Sequence, residues 1–306
     1  MFVIGIIIYF IIINILTFIA FAADKMKALK DGWRVKESTL LLLSFLGGAA
    51  GGILGMIMCR HKIRSLKFKI LLPVFLILQI IIVGTIIYID DYYHAEEAAY
   101  VSIQQPADGV SVAELENGTW VFSSETPQAG IIFYPGGKVE AESYAPLMEA
   151  FAEEGFFTVL ISMPGNLAVL DQAAADGIKA EFPEIDRWYM AGHSLGGVMA
   201  ASYLGDNSGA YEGLILLASY TTAGLTGTQL EVLSIYGDQD QVLDMEAYEQ
   251  NRKNLPADFQ EVIIEGGCHA YFGTYGMQEG DGKPTITQQE QIRQTADAVA
   301  GFIGSE

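Results

Sequence analysis

Residues 192–196 read Gly-His-Ser-Leu-Gly, with the apolar run RWYMA before them and VMAASYL following at 198–204. A serine between two glycines, where a strand ends and a helix begins, is set up to have its hydroxyl lifted clear of a sheet by a strained turn. A Cβ at either flank would clash in so sharp a bend. Such a hydroxyl becomes a nucleophile only beside a base, and histidine is the usual one. The chain has four histidines. His61 lies in a basic loop and His94 in a polar stretch, while His193 adjoins the serine, where its side chain should point away. That leaves His269, three residues beyond the apolar run EVIIEG.

The imidazole in turn needs a carboxylate to fix its tautomer and stabilise its charged form. SIYGDQDQV, residues 234–242, follows a strand pattern and offers Asp238 and Asp240; Gly237 permits a turn there, and Asp238 is suited to cap it. A fourth requirement is a pair of N–H donors for a developing oxyanion. One should come from Leu195, directly after the serine. The second should come from Gly137 or Gly136 in FYPGGKV, whose glycines let backbone approach a substrate.

These residues need a scaffold that brings them together. Short apolar runs at 130–135, 157–162, 187–191, 213–218, 230–236 and 261–266 alternate with helical patterns around 141–154, 166–181, 195–205, 243–254 and 287–303. Strands that apolar, separated by helices, predict an α/β fold: a doubly wound, mostly parallel sheet covered on both faces. Ahead of it, residues 110–124 alternate around Asn117-Gly118 and predict a hairpin with a type I′ turn. In such sheets a site forms beyond the carboxyl ends of the strands, where Ser194, the Asp238/Asp240 pair, His269 and the Pro-Gly-Gly turn all fall.

On the pieces IIFYPGGKVEAESYAPL, MPGNLAV, WYMAGHSLGGVMAA, SIYGDQDQV and GGCHAYFGTYG, residues 110–304 resemble the α/β-hydrolase superfamily, closest to a compact bacterial branch with little or no lid. The resemblance implies a serine hydrolase, mostly of esters, with Ser194, Asp240 and His269 as its triad. The family's G-x-x-D pattern puts the acid on Asp240, and its chain order is Ser, Asp, His. YPGG stands where many relatives have a His-Gly pair, which leaves the second oxyanion donor open. Only eleven residues separate the runs ending at 218 and starting at 230, too few for a cap, so the site should be open.

The N-terminal part is of another kind. Residues 2–23, 39–59 and 70–89 are apolar and of bilayer-crossing length, so residues 1–89 are expected to be a helical transmembrane region with two or three spans. Residues 90–109 then form a polar linker and 110–306 the hydrolase domain. Residues 10–75, on DKMKALKDGWRVKESTLLLLSFLGGAAGG and RHKIRSLKF, resemble a family of short bacterial membrane proteins of unknown function, which implies no activity. Two loops, 24–37 and 60–69, carry five basic residues each, yet three simple spans would set them on opposite sides. GGAAGG at 47–52 suits either a tightly packed span or a re-entrant hairpin; the hairpin would put both loops inside. The third apolar run has Lys62, Arg64, Lys67 and Lys69 before it and Asp90, Asp91, Glu96 and Glu97 after it, which predicts an extracytoplasmic C-terminal domain.

Charge narrows the function further. Residues 1–89 hold ten Lys/Arg against three acids (net +7), and residues 90–306 hold seven against 34 (net −27). So acidic a domain repels nucleic acid. Two distant cysteines, Cys59 and Cys268, form neither a disulfide framework nor a metal motif, and no cofactor or metal is expected. The expected activity is a membrane-anchored serine hydrolase, cleaving a small-molecule or lipid-like ester, ahead of an amide or thioester, by acyl transfer to Ser194. Its competitors are a non-catalytic sensor on the same fold and an accessory domain of a membrane lipid-handling protein.

Overall fold

The computed structural model describes residues 2–30 and 35–304; Asp31 and Arg34, counted above in the first basic loop, lie outside the described residues. The chain divides into two units, Met1–Asp90 and Asp91–Glu306.

The first unit is helical: α1 (Phe2–Leu29), α2 (Glu37–Leu43), α3 (Ala49–Met58) and α4 (Leu66–Asp90). Three segments, Gly5–Leu29, Glu37–Met58 and Leu66–Tyr88, are long and apolar enough to cross a membrane. The middle one does not run straight. Between α2 and α3 lies a π-helical turn, Ser44–Gly48, in which Gly47 takes φ 126°, a conformation that only glycine adopts cheaply. The chain there folds back on itself. A Cβ on Gly52 would lie 2.8 Å from Ser44 Oγ, although eight residues of straight helix would separate the two by about 12 Å along the axis.

The open ends of this hairpin meet. Leu40 of α2 packs with Phe21 of α1 and with Phe68 and Leu72 of α4, and Met56 of α3 packs against the same cluster. Asp24 accepts a hydrogen bond from the Val35 N–H at 2.9 Å and pairs with His61 Nε2 at 2.6 Å, while Lys62 pairs with Glu37 at 2.6 Å. The α1–α2 and α3–α4 loops are therefore joined on one face, and residues 37–58 leave and return on that face. Gly51 and Gly55 let α3 press against α1: a Cβ would meet the Asn14 carbonyl oxygen at 2.0 Å and Phe21 Cβ at 2.7 Å, respectively.

The second unit begins with α5 (Glu97–Gln104), within the stretch expected as a polar linker. Its Ser102 hydroxyl donates to Glu149 on α6 (Ala145–Glu153) at 2.6 Å. The sheet has eight strands: β1 (Val110–Glu114), β2 (Trp120–Ser124), β3 (Gly130–Tyr134), β4 (Phe157–Leu160), β5 (Trp188–His193), β6 (Gly213–Leu217), β7 (Glu231–Gly237) and β8 (Gln260–Ile264). Their order is β1-β2-β4-β3-β5-β6-β7-β8; β3 to β8 run parallel, and β1 and β2 pair antiparallel at one edge. Strands β3 to β6 are buried throughout, which is why they read as unbroken apolar runs. Alternate side chains feed two cores. Ile131, Phe133, Ala191 and Ile235 face α6 and α10 (Gln288–Ile303), while Ile132, Met190 and Leu216 face α8 (Leu195–Asn207).

Two local expectations fail. The hairpin loop spans Leu115–Thr119 with only Gly118 at positive φ (80°), so it is not the two-residue type I′ turn that Asn-Gly predicts. The helix expected over 166–181 shrinks to α7 (Ile178–Glu181) after two short 3-10 turns. Its apolar pattern is overridden from the sheet: the buried Tyr134 hydroxyl donates to the Gln172 carbonyl and accepts from the Ala175 N–H, both at 2.9 Å, which fixes the segment as turns.

Candidate active site

Ser194 sits between β5 and α8 at φ 51°, ψ −123°, a strained backbone for a residue with a side chain. Close packing imposes the strain. A Cβ on Gly192 would lie 2.6 Å from the Gly196 carbonyl carbon and the Gly197 nitrogen, and one on Gly196 would lie 2.1 Å from the Tyr134 carbonyl oxygen. The bend is pinned by the Ser194 N–H donating to the Leu217 carbonyl at 2.9 Å and by the Ser219 hydroxyl donating to the Ser194 carbonyl at 2.7 Å.

His269 follows β8, and its side chain is almost fully buried. Nδ1 lies 2.8 Å from Asp240 Oδ2, while Asp240 Oδ1 accepts from the Val242 and Leu243 N–H groups, each at 2.8 Å. A carboxylate held at one oxygen by two amides presents the other in a fixed direction, and so fixes the imidazole with its Nδ1 proton toward the acid. Nε2 is buried and has no hydrogen-bond partner among the described residues. It is the nitrogen left free to take a proton. Ser194 and His269 line one cavity of about 230 Å³, together with Leu195, Val198, Tyr220 and Leu243. In this geometry the serine hydroxyl does not bond Nε2; such contacts are often loose before substrate arrives.

The two aspartates on the β7 turn separate cleanly. Asp238 points back to the loop, accepting the Gly266 N–H at 2.7 Å, and Asp240 is the one on His269. Of the expected oxyanion donors, the N–H groups of Leu195 and Gly137 have no acceptor among the described residues, and a Cβ on Gly137 would meet the Leu195 side chain at 2.8 Å. Gly136 requires a correction. Its N–H donates to the Tyr144 hydroxyl at 3.0 Å and is not available to a substrate.

Sequence reasoning passed over several residues here. The Tyr144 hydroxyl that engages Gly136 also lies 2.7 Å from His193 Nδ1, and the two ring centroids of His193 and His269 are 4.6 Å apart. His193 does point away from the serine, yet it forms the support beneath His269. Burial, and then the neighbouring His269, push its pKa well below the usual histidine value, so it stays neutral and does not compete for the proton. Tyr144 is likewise pushed up by burial and remains a neutral phenol. The His269 loop is tied down on both sides, by Gln291 at Cys268 and by Asp281 Oδ2, which accepts the Ala270 N–H at 2.9 Å. None of these contacts is signalled by local spacing.

Residues 130–293 match the model of a family described as the alpha/beta hydrolase family. Residues 14–68 match one described as a protein of unknown function (DUF1294). The uncharacterized protein YsdA of Bacillus subtilis (strain 168) is 36% identical over 76 residues, which are 25% of this chain and 85% of that protein. Among solved structures, a predicted CIB-like hydrolase from Thermoplasma acidophilum aligns over 63% of this chain and 100% of its own, at 16% identity and a TM-score of 0.47. TT1662 from Thermus thermophilus aligns over 64% and 97%, at 14% identity and a TM-score of 0.48. With the family match covering more than half of the sequence and the sheet running in the order described, the chain belongs to the alpha/beta hydrolase family.

Proposed function

We propose that this protein is a membrane-anchored serine hydrolase that cleaves a carboxylic ester, with Ser194 as nucleophile, His269 as general base and Asp240 as its orienting acid. The observation that carries the reading is the state of His269: Nδ1 is held by a buried carboxylate, and the unpartnered Nε2 belongs to a side chain lining the same cavity as a serine on a strained strand-to-helix turn. In the reaction, Ser194 Oγ adds to the ester carbonyl as its proton passes to Nε2. The carbonyl oxygen takes the negative charge and accepts from the Leu195 and Gly137 N–H groups. The C–O bond then breaks, and the leaving alkoxide takes the proton from Nε2 and departs as an alcohol. Water repeats the sequence on the acyl-enzyme, releasing the acid and restoring Ser194. Each preorganised donor contributes about 3–4 kcal/mol to the transition state.

The cavity favours neutral esters, because its lining includes Asp244 and no Lys or Arg. The anchor is residues 1–90. The described parts of both basic loops lie on one face of that unit, and the positive-inside tendency makes that face cytoplasmic. The chain then leaves α4 at the opposite end, so the hydrolase unit is external, where its net −27 also disfavours nucleic acid as a partner. The test is labelling of the detergent-solubilised full chain with a fluorophosphonate. Wild type should label and Ser194→Ala should not; equal labelling of the two would remove Ser194 from the mechanism.

A further inference from the structure

The fold-back at Gly47 leaves the membrane unit unequal in its two halves. Toward the basic loops, α2 and α3 fill the space between α1 and α4. Beyond the hairpin tip no described residue of this unit does, and a cavity of about 500 Å³ opens there between the N-terminal half of α1 and the C-terminal half of α4. Its walls are apolar, Ile7, Phe10 and Ile11 on one side and Ile80, Val83 and Ile87 on the other, and its floor is Gly47 and Ala50 of the hairpin.

The two polar side chains in the lining are engaged by the hairpin backbone. Asn14 accepts the Gly51 N–H at 2.7 Å and donates to the Gly47 carbonyl at 2.9 Å; Gln79 donates to the Ser44 carbonyl at 2.8 Å. The slot therefore asks for hydrocarbon alone. A second observation comes from α4 itself. Gly84 lines the slot, and a Cβ added there would meet nothing within 4 Å. Glycine is, after proline, the residue least favoured in a helix interior, and no protein contact here accounts for it. What it does is widen the groove.

We infer that this slot holds one acyl chain of a membrane lipid, taken from the leaflet on the side opposite the basic loops. The inference rests on reading residues 1–90 as the membrane region. Depth selects the occupant. From Gln79 to Ile87 the wall rises about 12 Å, close to the ~15 Å of one hydrocarbon leaflet. A helix from a second copy would need ~30 Å to span, and would strike the hairpin halfway. An acyl chain ends where the floor begins. The membrane unit thereby becomes a lipid-holding element on the same side of the bilayer as the proposed hydrolase.

The test uses the full chain in phosphatidylethanolamine–phosphatidylglycerol vesicles doped with a phosphatidylcholine bearing a diazirine on its acyl chain. After irradiation, cross-links should concentrate on Ile7, Ile11, Ile80 and Ile87 over Ile8 and Ile12, which face outward on the same turns of α1. They should fall with excess unlabelled lipid, and fall about tenfold in Gly84→Phe, whose ring occupies the slot. Equal labelling of the lining and outward residues, unchanged by Gly84→Phe, would overturn the assignment. So would efficient disulfide dimerisation of Gly84→Cys, which would give the slot to a second copy. Release of the wild-type chain from membranes by alkaline carbonate would instead defeat the membrane reading itself, before any cross-linking is done.

Discussion

Gln291 on α10 grips the backbone of Cys268 with both ends of its amide: Oε1 accepts the Cys268 N–H at 2.9 Å, and Nε2 donates to the Cys268 carbonyl at 2.8 Å. The side chain is fully buried, and Cys268 immediately precedes the histidine proposed as base. This amide is a substitute for sheet hydrogen bonds in a loop that has left β8, and it carries the position of His269 onto the rigid C-terminal helix.

Replacing it with leucine leaves a buried N–H and a buried carbonyl unpaired, each costing about 1–3 kcal/mol. Because sub-ångström misplacement of a catalytic group is expensive, Gln291→Leu should lower kcat about 10–100-fold, along with a drop in Tm. Gln291→Glu keeps the acceptor and loses the donor, and should fall between the two. Ester turnover and thermal unfolding of the purified full chain decide it; a Gln291→Leu protein with wild-type kcat would show that the clamp does not position His269.

The aspartate pair gives a sharper contrast. Asp240→Asn removes the acceptor that fixes the imidazole tautomer, and should reduce kcat by about 10³–10⁴-fold with the fold intact. Asp238→Asn keeps an oxygen for the Gly266 N–H and should change kcat little. The opposite ranking would transfer the acid's role to Asp238.

His193 makes stability depend on pH. In the folded chain, burial and the adjacent His269 hold its pKa well below 6.5, whereas the unfolded chain takes up that proton near pH 6.5. Below that pH the unfolded state binds more protons, so the contribution is complete above about pH 6.5 and is lost as pH falls, at up to about 1.4 kcal/mol per pH unit. His193→Asn places an amide near Tyr144 and does not titrate. It should be less stable at pH 7.5 but show a flatter loss between pH 6.5 and 5 in denaturant titrations. Parallel curves for the two proteins would mean that His193 titrates normally.

What could be read from sequence follows from where each signal resides. The strands were legible because burial on both faces leaves unbroken apolar runs, and Ser194 because its two glycines mark a strand-to-helix bend within five residues of sequence. The 166–181 segment was not, since its conformation is set by Tyr134 from across the core. Gly136 and Gly137 look alike as letters; the hydroxyl of Tyr144, eight residues past Gly136, distinguishes them. Its place beside Ser194 in the bend predicted that His193 points away, but could not show that the loop carrying His269 crosses over that same ring. In the N-terminal unit, GGAAGG at 47–52 left a packed span and a re-entrant hairpin both open, and the backbone angle of Gly47 with the close approach of Gly52 to Ser44 decides for the reversal.

That reversal resolves the charge conflict between the two basic loops, and it yields a prediction about sidedness. With three straight crossings, five basic residues would lie on each side and neither orientation would satisfy the positive-inside tendency. With a hairpin, residues 37–58 return to the face they left, as the Asp24–His61 and Lys62–Glu37 pairs require, and the nine basic residues among the described ones gather on one side. On the membrane reading, only α1 and α4 would then cross, and Asp91 would emerge opposite the loops. Cysteines introduced singly at Lys27, Arg64 and Asp91, in a chain with Cys59 and Cys268 replaced by serine, should respond accordingly to a membrane-impermeant maleimide. Positions 27 and 64 should be shielded in intact cells and labelled in inverted vesicles, and position 91 should behave in the reverse way. Labelling of positions 27 and 64 from opposite sides would restore three crossings. Shielding of position 91 in intact cells would move the hydrolase unit inside, and its substrates would then be intracellular esters.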